Sequence, residues 1–174
     1  KTYVSVIVVI LLSHFSLAQS NFEFTTKKKT VKVPFKLVSN LIVIPVKVNG
    51  KELSFLLDTG VKETILFNVS KVDSIALNSA EVFTIKGAND VEVSALKSKN
   101  NIVEVESIKS NNQIIYVAFN QESNLSAYLG EEIHGILGYH FFKDFVVEFA
   151  YDHEFVKVYE KGVFKNKWKR YKEV

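Results

Sequence analysis

Apolar and polar positions alternate along this chain in short runs, and turn residues close the runs. From Val31 to Val38 every second residue is apolar, which puts Val31, Val33, Phe35 and Leu37 on one face of a half-buried strand. Leu41 to Val48 is a β-branched run ending at Asn49-Gly50. Both residues tolerate positive φ, so the pair predicts a tight hairpin whose second strand is Leu53 to Leu57. The same reading predicts strands over Thr64 to Val69, Glu81 to Lys86, Val91 to Leu96, Ile102 to Ile108, Gln113 to Phe119 and Ile133 to Leu137. Gly87-Ala88-Asn89-Asp90 is a predicted turn, and Phe145 to Phe149 with Phe155 to Tyr159 form a closing hairpin around Tyr151-Asp152-His153. No segment sustains a 3.6-residue period. One short helical turn is predicted over Tyr139 to Asp144. Many short strands with frequent turns describe an all-β sandwich or barrel in a single lobe.

Composition narrows the chemistry. At 174 residues and 47% hydrophobic content the chain is one domain with short appendages and can bury a core. It has no cysteine, which excludes disulfides, thiolate metal sites and a cysteine nucleophile. No Gly-x-Ser-x-Gly elbow and no phosphate-binding glycine loop is present. His134, His140 and His153 with Asp152 match no established metal-ligand spacing, so neither a metal nor another cofactor is expected.

The net charge of +3 hides an asymmetry. Lys27 to Lys36 carries five lysines and no acid, and Lys161 to Val174 carries six basic residues and one acid. The body between them is mildly acidic. Basic tails on an acidic body argue against a nucleic-acid partner, which would need a basic patch on the folded surface. At the other extreme, Lys1, the apolar run from Tyr3 to Leu12 and Ser16-Leu17-Ala18 describe a secretory signal peptide over residues 1–18. The alternative is an uncleaved membrane anchor, the one route by which this chain would meet a membrane. Residues 19–30 read as a linker, 31–160 as the domain, and 161–174 as a basic tail or the start of a further linker. Export without cysteine suits a bacterial periplasm or cell envelope.

The stretch that carries chemistry is Phe55-Leu56-Leu57-Asp58-Thr59-Gly60, a carboxylate in a turn at the end of an apolar strand. Two such carboxylates brought together can share one proton, because like charges a few ångströms apart cannot both ionise cheaply. The ionised member then draws a proton from water, and the protonated member donates a hydrogen bond to a carbonyl. Thr59 can tie the loop to its counterpart, and Gly60 lets the backbone pass close by. Gly135-Ile136-Leu137-Gly138 follows much later, leading into Tyr139-His140-Phe141-Phe142.

With these two motifs, in this order, the chain resembles the retropepsin-like aspartic proteases over roughly Val31 to Tyr159. The resemblance implies a closed β-barrel with one short helix. It implies Asp58, Thr59 and Gly60 as the catalytic loop, with Ile136, Leu137 and Gly138 packed beneath it. It implies a flap over a peptide or protein substrate, for which the hairpin tip at Gly87 and Ala88 is the candidate. Exported bacterial members, which this chain resembles most, often continue into a PDZ domain. Two positions depart from the pattern: Val61 stands where Ala or Ser is usual, and Tyr139 stands where retroviral members carry an Arg used in dimer ion pairs. The chain holds five aspartates but one Asp-Thr-Gly, so the resemblance implies a homodimer that places two copies of Asp58 on its axis. The expected function is an aspartic endopeptidase. A non-catalytic envelope barrel that binds peptides or partner proteins is the alternative, and a carrier of a small apolar ligand is a third reading.

Overall fold

A computed structural model describes residues 21–67, 75–86, 92–119 and 125–164. Among the described residues twelve strands run in chain order: β1 (Glu23–Phe24), β2 (Thr30–Pro34), β3 (Lys36–Val38), β4 (Leu41–Val48), β5 (Lys51–Leu57), β6 (Thr64–Leu66), β7 (Glu81–Lys86), β8 (Glu92–Val105), β9 (Ile108–Ala118), β10 (Gly135–Leu137), β11 (Phe145–Ala150) and β12 (Phe155–Glu160). Three short helices accompany them: α1 (Leu125–Leu129), α2 (Tyr139–Phe142) and α3 (Lys161–Phe164). The chain is all-β, as its alternating pattern predicts, although α1 and α3 correct the expectation of a single helix. No helix among the described residues is long and apolar enough to cross a membrane.

The strand pairings run in a closed circuit, β4–β5–β10–β6–β9–β8 and back to β4. This is the barrel. Strands β1, β3 and β7 extend it at β9, β4 and β8, and β11, β12 and β2 form a separate three-stranded sheet. Inward residues of the circuit fill one core, with Ile44, Val46, Phe55, Leu66, Val103, Ile115 and Leu137 all almost fully buried. A smaller cluster of Val38, Val43, Leu56 and Ile133 sits apart from it, with Leu125, Leu129 and Ile136 packed against it.

The Asn49-Gly50 hairpin forms as predicted, with φ of 48° and 87° at its two residues, and joins β4 to β5 in register from Val48↔Lys51 to Val43↔Leu56. Elsewhere local pattern and tertiary pairing part company. Val31 to Val38 is two strands. Beyond Pro34 the chain leaves β12 and pairs with β4 instead, so Val38 is buried and Leu37 is 37% exposed. The strands expected over Val91 to Leu96 and Ile102 to Ile108 are one continuous β8, and the reversal lies at Glu106-Ser107, where Glu106 has φ of 52°.

The polar stretch at Ser98 to Asn101 interrupts the apolar pattern, but it is a bulge whose two buried side chains, Ser98 and Asn101, are satisfied inside the protein. Asn101 donates to Ser98 Oγ at 2.8 Å, and Asn49 Nδ2 donates to Asn101 Oδ1 at 2.9 Å. The amide of Ile102 donates to Asn49 Oδ1 at 2.8 Å. The hairpin and the bulge are thereby locked together.

The ends of the domain also extend beyond the expected limits. Phe22 is buried against Phe141 and Glu23–Phe24 pairs with β9, so residues 21–24 belong to the fold rather than to a linker. At the other end Phe164 of α3 is buried, edge-on to Tyr159. Residues 1–20, with the signal-peptide reading, and 165–174, with most of the basic tail, lie outside the described residues.

Candidate active site

Asp58 stands directly after β5, and the strand arrangement explains its position. Strand β10 lies between β5 and β6. It pairs parallel with β5 (Gly135↔Phe55, Ile136↔Leu56, Leu137↔Leu57) and antiparallel with β6 (Gly135↔Leu66, Ile136↔Ile65). The loop from Asp58 to Glu63 must therefore bridge two strands that do not pair with each other, arching over the end of β10. Backbone hydrogen bonds pin it there. The amide of Asp58 donates to Leu137 O at 3.2 Å, that of Tyr139 to Val61 O at 2.7 Å, and that of His140 to Lys62 O at 3.2 Å.

Gly138 makes this approach possible. A Cβ there would lie 2.4 Å from Val61 O and 2.5 Å from Glu63 O, far inside contact distance, while its φ of −90° demands no glycine. Gly135 is constrained likewise, by Ile65 O at 2.2 Å and the Phe55 ring at 2.7 Å from such a Cβ. The expectation that Ile136 and Leu137 both pack beneath the loop is corrected by the pleat of the strand. Leu137 is fully buried in the main core, whereas Ile136 points the other way, against the smaller cluster.

Within the loop, the Gly60 amide donates to Asp58 Oδ1 at 2.8 Å, which fixes the carboxylate's orientation. Oδ2 has no hydrogen-bond partner among the described residues. Asp58, Thr59 and Gly60 are all exposed in the single chain. A Cβ at position 60 would come to 3.1 Å from Asp58 Oδ1, so a larger residue there would push the carboxylate aside by a few tenths of an ångström.

Beside the loop runs an apolar groove of about 280 Å³, lined by Val61, Ile65, Ala95, Tyr116, Val117 and Ala118, with Lys62 and Glu63 also on its wall. Val61, the bulkier departure from the motif, is thus accommodated as part of this wall. Another hollow of similar size, between Phe35, Val43 and Ile133, touches none of the motif residues. The predicted β7–β8 hairpin forms, in register from Glu81↔Lys97 to Lys86↔Glu92. Its tip, with Gly87 and Ala88, lies outside the described residues.

The histidines take other places than a metal site. His134 Nδ1 accepts the Ser54 amide at 3.1 Å, tying β5 to the segment before β10. His140 lies on α2 opposite Glu63, and His153 lies in the exposed turn before β12. Among the described residues there is no group of three or more His, Asp or Glu that could hold a metal. Sequence reading missed the role of Gly135, although two glycines three residues apart were its visible signal. It also missed the Glu63–His140 pair, which only the packing of α2 reveals.

Comparison with known proteins decides the family. The sequence model of a family described as aspartyl protease matches residues 44–141, more than half of the chain, spanning the Asp58 loop, β10 and the start of α2. The chain belongs to the aspartyl protease family. No curated protein matches it. Among solved structures, the chain is similar to a retropepsin-like aspartic protease from Rickettsia conorii. That likeness has 12% identity and a TM-score of 0.49, over 80% of this chain and 92% of that one.

Proposed function

We propose that this aspartyl protease family member is an endopeptidase that works as a homodimer, with one Asp58 from each copy forming the catalytic pair. The observation that carries the reading is the exposed Asp58 carboxylate, oriented by the Gly60 amide on a loop pinned to β10 and α2. One loop supplies one carboxylate, and the sequence holds a single Asp-Thr-Gly, so a two-fold axis is the economical source of the second. In the pair one carboxylate keeps a proton and the other does not. The ionised Asp58 takes a proton from water as the oxygen attacks the peptide carbonyl. The protonated Asp58 donates a hydrogen bond to that carbonyl oxygen and then helps to protonate the departing amine. Thr59, exposed in the loop, meets its copy across the axis in this reading.

Substrate binds extended across the loop, with an apolar side chain in the groove beside Val61, Ile65 and Tyr116. The β7–β8 hairpin serves as the flap over it. The segment at Ser16-Leu17-Ala18 directs export to the periplasm or envelope. The test is cleavage of an apolar-rich peptide library from about pH 3 to 8, with sedimentation to fix the oligomeric state and Asp58→Asn as control. Cleavage by a dimer that is lost in the control supports the reading. Equal cleavage in both proteins, or cleavage by a monomer, overturns it.

A further inference from the structure

At the root of the loop, Glu63 Oε2 lies 3.4 Å from His140 Nε2. Both side chains are largely enclosed, at 26% and 15% exposure, and both of these atoms are buried without a hydrogen-bond partner among the described residues. A buried carboxylate oxygen and a buried imidazole nitrogen are each costly when left unpaired. Here they face one another from the two elements that the loop must bridge. Glu63 is the last residue before β6, and His140 is on α2, whose amide already holds Lys62 O. We propose that Glu63 and His140 are a positioning pair. An imidazole N–H donating to the carboxylate, after closing by roughly half an ångström, forms a charge-assisted hydrogen bond that clamps the Asp58 loop onto α2.

This inference rests on the peptidase reading for its consequence but not for its geometry. Neither side chain touches the reacting atoms. The pair acts by keeping the loop's carbonyls on Tyr139 and His140, and so by holding Asp58 in register with its copy. A displaced catalytic loop lowers turnover more than it weakens substrate binding. His140 is the cleaner site to perturb, because Glu63 also lines the apolar groove.

The experiment compares His140→Ala, Glu63→Ala, the double variant and His140→Gln, whose amide can still donate. Two readouts are taken: kcat and KM for a cleaved peptide, and amide hydrogen exchange at Tyr139 and His140. The pair predicts a kcat about tenfold lower in His140→Ala with KM within about twofold, and no further loss in the double variant. It predicts faster exchange at Tyr139 and His140 with the β8–β9 amides unchanged, and recovery of both readouts in His140→Gln. Additive losses, or unchanged exchange at these two amides, overturn the pair. Because exchange needs no activity, a wild-type protein that cleaves nothing refutes the peptidase reading, while the exchange result still decides the pair.

Discussion

Replacing Gly138 by alanine is the sharpest structural test of how the loop is held. The new Cβ would stand 2.4 Å from Val61 O, 2.5 Å from Glu63 O and 3.0 Å from the Lys62 carbonyl carbon, all backbone atoms that no rotamer change can move. Ordinary contact begins near 3.4 Å, so the loop must retreat by about 1 Å. Overpacking of this kind costs about 1–3 kcal/mol. The retreat also opens the Tyr139–Val61 and His140–Lys62 hydrogen bonds, worth about 1 kcal/mol each. The total of roughly 3–5 kcal/mol lowers the melting temperature by roughly 6–20 °C in a domain of this size. A catalytic loop displaced by about 1 Å also loses about a hundredfold in kcat. Thermal unfolding followed by circular dichroism, with peptide cleavage below the transition, measures both. Gly162→Ala is the control. That position on α3 has open space around it, and its melting temperature should hold or rise slightly. A Gly138→Ala protein that melts within about 2 °C of wild type and keeps its activity would refute the argument.

Leu137→Ala removes a fully buried side chain from the main core beneath the loop and should destabilise by about 2–5 kcal/mol in denaturant titration. Asn49→Ala should cost about 2–4 kcal/mol by the same measurement. It forces a residue lacking local side-chain hydrogen bonds into φ of 48°, leaves Asn101 Oδ1 with only the Asn78 amide, and strands the Ile102 amide. Lys29→Ala, which breaks an exposed ion pair with Glu160, should change stability by less than about 1 kcal/mol. Specific activity of the wild type should fall on dilution below the dimer dissociation constant, and a specific activity independent of concentration would argue against a shared site.

Much of the site was legible in the sequence because its signals are local. Asp58-Thr59-Gly60 after an apolar strand, Asn49-Gly50 between β-branched runs, and Gly135 to Gly138 before a short helix are each read within a few residues. What was not legible depends on partners distant along the chain. Leu37 continues the alternation of Val31 and Val33, yet the switch from β12 to β4 after Pro34 turns it outward. Ser98 and Asn101 interrupt the apolar pattern because their partners lie elsewhere in the chain: Ser98 donates to Asn78 O, and Asn101 accepts from Asn49, roughly fifty residues earlier. Ile136 and Leu137 form one apolar pair in the sequence, although adjacent strand residues must face opposite sides. Glu63 and His140 carried no signal at all, since only the parallel insertion of β10 between β5 and β6 brings the loop and α2 together.

If two chains share one catalytic pair, subunit mixing reveals it. Wild type and Asp58→Asn protein are combined in equal amounts, unfolded, refolded together and assayed for peptide cleavage at constant total concentration. A site built from both copies leaves only wild-type pairs active, about one quarter of the wild-type rate. A rate of about one half would mean that each chain carries a complete site, and would contradict the account.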